Sequence, residues 1–371
     1  MKKHIVVIGG YGHVGAQICR RLGEKYPGRV YAAGRNLDRA ERFSQETGGQ
    51  VKPMRFNRDA PADWDWLKTT KLVIVCIDQE NTDLAEACLA NGTDYIDITA
   101  NGSFLAQFEQ LNGEACRGTG LLSVGLAPGL TNLLAQKAAQ ALDETSRIDI
   151  AIMLGLGDSH GKAAIEWTVD HLNTVYDVKE NGRLMEVSSF TDGRRTNFGG
   201  RLGRRTAYRF PFSDQVTLPG TLAVPSVSTR LCFDSRPATA LIAAMQKIGA
   251  VKLLNNKGIR DLAVRMLGAL NIGSAQYAVK VDAEGLKNGR SAGTGIALFG
   301  ENESFITAQT AAAAASALYT GSFPHGIFHL EQLFELEWEG RESCLKQKET
   351  GERFVISFDI LLESEMINIR K

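Results

Sequence analysis

Residues 4–15, HIVVIGGYGHVG, constrain the fold of this chain more than any other stretch. A β-branched apolar run ends in Gly-x-Gly-x-x-Gly, and a helix-like segment over 16–25 follows, so the pattern predicts a strand, a tight turn and a helix. In such a turn the glycines let the chain reverse, let backbone N–H groups approach a pyrophosphate, and let the helix pack closely on the strand. The turn residues that we expect to bind a dinucleotide are Gly10, Tyr11, Gly12, His13, Val14 and Gly15.

A second apolar run, 29–33, ends at Gly34-Arg35-Asn36. Proteins that bind NAD usually carry an acidic residue about 20 residues past the glycines, where it bonds the ribose 2′-hydroxyl. Arg35 stands there instead, and a guanidinium pairs well with a 2′-phosphate. We therefore predict NADP, with NAD as the alternative, and place Arg35 and Asn36 in the cofactor site. The competing interpretation of Arg35 is a solvated surface arginine.

Strand-like and helix-like segments alternate through the first third of the chain, with strands expected at 51–56, 71–77, 94–99 and 121–124 and helices at 37–46, 81–91 and 103–117. This alternation predicts a doubly wound parallel sheet, and such sheets bind ligands outside the carboxyl ends of their strands. The cofactor residues expected at those ends are Ile77, Asp78, Thr99 and Ala100, and Asn101 is expected to contact the substrate.

The pattern changes after about residue 143. The pattern over residues 178–227 predicts short strands broken by Gly and Pro, which is typical of a mixed, mostly antiparallel sheet. Around them we expect a strand at 148–154, helices at 162–175, 238–248, 258–270 and 304–318, and a strand pair at 276–283 and 293–299. The prediction is an α/β chain with a dinucleotide-binding domain over 1–135, a second α+β domain of mixed sheet over 136–303, and a strand-containing segment over 336–371.

Composition excludes several classes of partner. The 42 basic and 42 acidic side chains balance, so we expect no general affinity for nucleic acid or for a membrane surface. Six scattered cysteines without C-x-x-C favour a reducing cytoplasm over secretion. The apolar run near the first residue is too short for a signal peptide, and no uninterrupted apolar stretch is long enough to span a bilayer.

Five segments of the chain resemble the saccharopine dehydrogenase/reductase family, in its bacterial saccharopine-dehydrogenase-like branch. They are IVVIGGYGHVG, AAGRNLDRAE, VIVCIDQENTDLAEACLANGTDYIDITA, GLAPGLTNLLAQKA and GIFHLEQLF. Together they cover the first third of the chain well and the rest loosely, and GLAPGLTN, residues 125–132, is more specific than the glycine turn.

The resemblance implies an N-terminal Rossmann domain, a second domain that lines the substrate cleft and contributes to a homodimer, and late helices around 304–335 that pack back on the first domain. It also implies that a secondary amine and an imine are interconverted with a nicotinamide cofactor, joining an amino acid to a carbonyl compound. The identity of the substrate does not carry over.

An amino-acid-derived substrate of this kind carries several carboxylates, so arginines are candidates to bind it. Six arginines lie between residues 194 and 209, and for most of them a solvated loop or a subunit contact is the favoured interpretation. Arg230 is the better substrate candidate because an arginine within an apolar run needs a partner; its alternative is a structural ion pair, for instance with Asp234. Trp167, on the helix after the loop GLGDSHG, is the remaining substrate candidate.

A group that handles a proton must also reach the reacting nitrogen. His160, in the same loop, is the first candidate because a histidine titrates near neutrality; the alternative is that Asp158 or Ser159 caps the helix and His160 is exposed to solvent. Asp78 is the second candidate because it follows the strand expected at 71–77, near the expected place of the nicotinamide. Capping of the next helix is the alternative role for Asp78. His325 and His329 have i, i+4 spacing but lack a third ligand, so we interpret them as structural and expect no metal.

These features favour an NADP-dependent oxidoreductase that acts on a C–N bond of a small amino-acid-derived substrate. Two alternatives stay open: a non-catalytic regulatory protein that binds NAD(P), and a synthase that uses NAD(P) transiently on a polyamine. Arginines in the second domain favour a carboxylate substrate over a polyamine.

Overall fold

The computed structural model describes residues 2–58, 64–113, 115–158, 161–200, 202–269, 273–339, 342–356 and 361–367. The strands are β1 His4–Ile8, β2 Val30–Gly34, β3 Val51–Arg55, β4 Thr70–Val75, β5 Asp94–Asp97, β6 Thr119–Leu122, β7 Glu144–Leu154, β8 Val175–Glu180, β9 Arg183–Ser188, β10 Arg194–Asn197, β11 Arg204–Arg209, β12 Val227–Phe233, β13 Gln276–Lys287, β14 Arg290–Glu301, β15 Gly326–His329, β16 Phe334–Glu339, β17 Glu342–Gln347, β18 Arg353–Ile356 and β19 Leu361–Ile367. The helices are α1 His13–Lys25, α2 Leu37–Glu46, α3 Asp83–Ala90, α4 Gly102–Glu109, α5 Thr131–Gln140, α6 Lys162–Asp170, α7 Asp214–Thr221, α8 Arg236–Lys247, α9 Lys257–Ala269, α10 Glu303–Thr320 and α11 Leu330–Leu333.

The chain divides into two compact units. Unit 1 contains Met1–Leu130 and Ser304–Ser357, and unit 2 contains Thr131–Glu303 and Phe358–Lys371. None of the helices in the described part of the chain is both long and apolar enough to cross a membrane.

Unit 1 is built on a seven-stranded sheet in the order β15-β6-β5-β4-β1-β2-β3, and every neighbouring pair is parallel. Its central strands are almost wholly apolar because helices cover both faces of such a sheet. The helix α1 packs through a stripe of buried residues spaced three and four apart, Gly15, Ile18, Cys19, Leu22 and Gly23. The doubly wound parallel sheet predicted from the sequence is thereby confirmed.

Two features of unit 1 differ from the prediction. The helix expected over 103–117 ends at Glu109, ahead of Asn112-Gly113, where the chain turns. The strand β15 was not predicted, because its four residues carry no clear alternation and pair with β6 from far along the chain. A further three-stranded antiparallel sheet, β16-β17-β18, belongs to the same unit.

Unit 2 contains a second seven-stranded sheet in the order β10-β11-β12-β7-β13-β14-β19. Only β12 and β7 are parallel, and the other pairs are antiparallel. This mixed sheet confirms the predicted second α+β domain. The long hairpin of β13 and β14 turns at Asn288 and Gly289, both at positive φ, which suits a two-residue turn. The strands expected at 276–283 and 293–299 are therefore too short.

Two helices of unit 2 also differ from the prediction. The helix expected over 162–175 stops at Asp170 and continues only as one 3₁₀ turn, because the β-branched Val175 already begins β8. The helix α7 lies inside 178–227, where only strands were expected. Its Pro219 is part of the Gly- and Pro-bearing pattern that suggested loops.

Candidate functional site

The glycine turn of unit 1 lies between β1 and α1, at the carboxyl end of β1. Gly9 has φ +77°, and the backbone N–H of Gly12 donates to the carbonyl oxygen of Gly9 at 2.8 Å. Gly12 is the N-cap of α1 and brings no side chain to the first N–H groups of the helix. The first turn of α1 contains no acidic residue, so its positive dipole end is available to an anion.

Packing explains why this turn needs glycine. A Cβ atom on Gly10 would lie 2.6 Å from the carbonyl oxygen of Val7, and one on Gly15 would lie 2.3 Å from that of Gly9. Both distances are far inside van der Waals contact with backbone that cannot move aside. The turn is thus a shallow cradle of backbone closed to any larger residue at positions 10 and 15.

The end of β2 lies beside this cradle. The hydroxyl oxygen of Tyr11 accepts a hydrogen bond from the backbone N–H of Asn36 at 2.9 Å, while the side chain of Asn36 caps α2 by accepting from the N–H of Arg39. Arg35 is exposed and makes no hydrogen bond or ion pair with any residue in the described ranges. The guanidinium of Arg39 lies 5.2 Å from the centre of the Tyr11 ring.

Two guanidinium groups, on Arg35 and Arg39, therefore lie near the same strand end. Sequence reasoning singled out Arg35 and missed Arg39. The position of Arg39 on α2 could have indicated it. In a helix that begins at a strand end, the third residue lies in the first turn and can face back toward that end.

The end of β4 meets the same turn. A Cβ atom on Gly9 would lie 2.8 Å from Cγ2 of Ile77, so Ile77 packs directly against the glycine turn. Ile77 is 37 % exposed and Asp78 next to it is exposed as well. The carbonyl oxygen of Asp78 accepts from Arg58 at 2.6 Å. The side-chain oxygen of Asn81 accepts a hydrogen bond from the N–H of Asp83, the first residue of α3. Asn81 therefore contributes to capping α3, which was the alternative role for Asp78.

The loop after β5 is held by a buried carboxylate. Asp97 is fully buried; it accepts from the hydroxyl of Tyr95 and from the N–H of Thr99, each at 2.9 Å. Burial raises the pKa of Asp97 to about 7, and the nearby charge of Asp78 adds to the rise. Sequence reasoning placed Thr99 at this strand end but missed Asp97, whose signal was an acidic residue within the apolar run DYIDIT.

Asn101, the predicted substrate residue of this loop, serves as the N-cap of α4. Its side-chain oxygen accepts from the N–H groups of Ser103 and Phe104, and its own N–H donates to the hydroxyl of Thr99. Ala100 lies between these two residues and is half-buried. The carboxyl ends of β1, β2, β4 and β5 thus carry all of the predicted cofactor residues along one edge of the parallel sheet.

Arg230 is buried on β12 of unit 2, where it pairs with two carboxylates. It lies 3.1 Å from Asp149 and 2.7 Å from Asp192, and also donates to the hydroxyl of Ser228. Asp234, proposed as the partner from the sequence, is the wrong one. Its carboxylate accepts instead from the N–H groups of Leu156 and Ser274 and holds the loop after β7.

Asp149 is surrounded by hydrogen-bond donors. Burial alone would raise the pKa of this carboxyl, but the hydrogen bond from Ser228 and the charges of Arg194 and Arg230 outweigh it and hold the pKa below its ordinary value. The carboxylate of Asp149 is therefore ionised at neutral pH and neutralises part of the arginine charge.

Trp167 lies on α6 with its ring against Phe210, Phe212 and His171. Its indole N–H is buried and has no acceptor among the residues that the structure describes. His160 and Ser159 lie outside the described residues. Asp158 does not cap α6, whose N-cap is Gly161; it accepts instead from the N–H of Glu303, the first residue of α10.

A serine, a histidine and a glutamate form a hydrogen-bonded chain in unit 1 that the sequence did not indicate. Nδ1 of His329 is 2.8 Å from the hydroxyl of Ser123, and Nε2 is 2.7 Å from Glu109. Ser123 is fully buried, so no substrate reaches its hydroxyl, and the chain joins β6, β15 and α4 as a structural element. No group of three His, Cys, Asp or Glu residues in the described ranges could hold a metal ion.

Comparisons with known proteins agree with this architecture. Residues 5–144 match the family model described as the saccharopine dehydrogenase NADP binding domain. Apo saccharopine dehydrogenase (L-Glu forming) from Saccharomyces cerevisiae is similar in structure, with a TM-score of 0.65 and 13 % identity over 88 % of this chain and 94 % of that one. No curated protein matches in sequence.

Two other solved structures are more distant. A DAP dehydrogenase from C. glutamicum in complex with DAP has a TM-score of 0.43 and 14 % identity over 90 % of this chain and 94 % of that one. An engineered D-amino acid dehydrogenase bound to NADP⁺ has a TM-score of 0.42 and 12 % identity over 90 % and 94 %.

The likeness to the yeast enzyme establishes a shared fold, and the matched residues contain the glycine turn, Arg35 and the strand ends described above. The sequence similarity to the saccharopine dehydrogenase NADP-binding domain family lies in residues 5–144 of this chain.

Proposed function

We propose that the protein is an NADP-dependent oxidoreductase that interconverts a secondary amine and an imine of an amino-acid-derived substrate. The observation that carries the proposal is the exposed Arg35 at the end of β2, which forms no ion pair among the described residues and lies beside a turn whose positions 10 and 15 admit only glycine. A guanidinium at this point favours a 2′-phosphate over a free 2′-hydroxyl.

The residues of unit 1 fit a dinucleotide. Backbone N–H groups of the glycine turn and the first turn of α1 would hold the pyrophosphate, and Arg35 with Arg39 would hold the 2′-phosphate. Ile77, Thr99 and Ala100 would border the nicotinamide end. When bound, the cofactor supplies hydride transfer, while the protein orients the substrate and handles the proton.

The substrate half of the proposal rests on unit 2. The buried indole N–H of Trp167 lacks an acceptor, and a buried donor of this kind is costly until a ligand or a water satisfies it. Arg230 is already matched by Asp149 and Asp192, so it would contribute hydrogen bonds rather than net charge. Asn101, the separate candidate in unit 1, would use its amide N–H groups, because its oxygen is used in capping α4.

His160 and Asp78 are the groups that we propose for proton transfer. Of the two, Asp78 lies next to Ile77 at the end of β4 and is exposed, as a group that meets solvent and substrate must be. We also expect the protein to form a homodimer, and light scattering would measure its mass in solution.

The first test is a titration with NADPH and with NADH, followed by nicotinamide fluorescence. The parent, Arg35→Ala and Arg39→Gln are compared with Arg42→Ala, an exposed arginine of the same helix α2. We expect NADPH affinity to fall about tenfold or more in Arg35→Ala, with NADH affinity unchanged, because a charge-assisted hydrogen bond contributes roughly 1.5–3 kcal/mol. Arg42→Ala should behave like the parent.

If neither NADPH nor NADH binds at micromolar concentration, the proposal is wrong. If NADPH binds, amine and keto-acid pairs are screened for a change in nicotinamide absorbance. Binding without turnover of any pair would favour the non-catalytic regulatory protein instead.

A further inference from the structure

A cavity of about 420 Å³ lies within unit 2, between β10, β11, β12 and the beginning of α8. Four arginine side chains line it, namely Arg195, Arg204, Arg205 and Arg236. The rest of the lining includes the aromatic rings of Tyr208 and Phe233 and the methyl group of Ala240. The volume falls in the range of small-molecule sites, and the lining combines an apolar surface with several cations.

The four arginines differ from their neighbours in having no counter-charge among the described residues. Arg194, Arg209 and Arg230 each form an ion pair with Asp149 or Asp192. In contrast, no residue in the described ranges forms an ion pair with the arginines of the cavity, and no described acidic side chain lines it. The cavity therefore concentrates positive charge that the described residues do not neutralise.

Two of these guanidinium groups are held in place by backbone. Arg205 donates to the carbonyl oxygen of Asp234 at 3.0 Å, and Arg236 donates to that of Arg204 at 3.1 Å. Nε of Arg205 is buried and has no acceptor among the described residues. Because a buried charged donor without an acceptor is costly, an oxygen atom of a bound anion would stabilise this side chain.

The beginning of α8 adds to the positive electrostatic potential of the cavity. Arg236, Thr239 and Ala240 reach the cavity from the first turns of this helix, whose N-terminus carries partial positive charge. Pre-placed donors cost little ordering entropy on binding, so the arrangement suits a ligand with more than one anionic group.

We propose that this cavity binds a small organic anion that carries two or more carboxylate or phosphate groups. Its anionic groups contact the arginines, and its carbon skeleton lies against Phe233 and Tyr208. The site is made entirely of unit 2 residues and does not depend on the proposed oxidoreductase activity. A polycarboxylate and a phosphorylated metabolite share this chemistry, and the test separates them.

The experiment is calorimetric titration of the full chain with citrate, with pyrophosphate, and with acetate as a single-charge comparison. The variants are Arg195→Gln/Arg236→Gln, which removes two exposed cations, and Ala240→Trp, which fills the cavity but keeps its charge. Arg290→Gln, an exposed arginine at the start of β14, is the matched control. Thermal unfolding confirms that each variant is folded.

We expect citrate or pyrophosphate to bind the parent and Arg290→Gln equally, and acetate to bind at least tenfold more weakly. Both cavity variants should lose tenfold or more in affinity, and binding should weaken as salt is added. Citrate alone would indicate a polycarboxylate, and pyrophosphate alone a phosphorylated ligand. No binding of either probe below millimolar concentration, or equal binding by Arg195→Gln/Arg236→Gln and Arg290→Gln, would overturn the proposal.

Discussion

The hydroxyl oxygen of Tyr11 accepts a hydrogen bond from the backbone N–H of Asn36 at 2.9 Å and so joins the glycine turn to the end of β2. The ring lies over Gly34, where a Cβ atom would be 2.3 Å from the Tyr11 oxygen. The segment proposed to hold the pyrophosphate and the segment proposed to hold the 2′-phosphate are therefore coupled through one side chain.

Replacing Gly34 with alanine should displace Tyr11 and weaken NADPH binding about tenfold, while the chain stays folded because the clash is with the end of a side chain. Tyr11→Phe, which removes only the hydrogen bond, should cost roughly 0.5–1.5 kcal/mol of binding energy. Gly113→Ala, where a Cβ meets nothing within 4 Å, is the control. Fluorescence titration checks this, and parent-like affinity in Gly34→Ala would count against the coupling.

Asp97 should make stability depend on pH. Burial raises its pKa from 3.8 to about 7 in the folded chain, so between these values the folded chain holds a proton that the unfolded chain has lost. The stabilisation from protonated Asp97 is complete below about pH 4 and is lost as pH rises through 7. Urea unfolding should show a loss of about 2–3 kcal/mol between pH 5 and pH 8 that Asp97→Asn does not show.

Exposed Asp177→Asn serves as the control for this effect and should keep the pH dependence of the parent. An identical pH dependence in Asp97→Asn and the parent would show that Asp97 does not titrate in this range.

The buried ion pairs of Arg230 should be important for the stability of unit 2. Arg230→Met removes one arginine partner each from Asp149 and Asp192, which keep Arg194 and Arg209, and the lost charge-assisted hydrogen bonds should cost about 1.5–3 kcal/mol. Arg183→Met, on the exposed strand β9, should change the free energy of unfolding by no more than about 0.5 kcal/mol. Equal unfolding midpoints for the two variants would show that solvent already compensates Arg230.

His329 should stabilise unit 1 through both of its ring nitrogens. His329→Ala leaves the buried hydroxyl of Ser123 without this partner, and an unsatisfied buried polar group costs about 1–3 kcal/mol in addition to the lost packing. His325→Ala, at an exposed position four residues earlier, should be nearly neutral. Thermal unfolding of the two variants side by side checks the difference, and equal midpoints would contradict it.

Sequence patterns predicted the parts of this protein that depend on neighbours along the chain. The glycine turn and the alternation of strands and helices in the first third both depend on residues a few positions apart, so period and residue type suffice to recognise them. The boundaries of helices depend on competing local signals: the helix expected over 103–117 ends at Glu109 because the turn at Gly113 outweighs helix propensity.

The tertiary structure decided every relationship between residues far apart in the sequence. The partners of Arg230 lie 38 and 81 positions away, β15 joins a sheet whose other strands end about 200 residues earlier, and the arginines of the cavity come together from β10, β11 and α8. The sequence by itself determined the kind of fold and the place of the glycine turn, since periodicity and backbone sterics are local. Which charges neutralise one another, and which remain available to a ligand, depended on packing that no local pattern records.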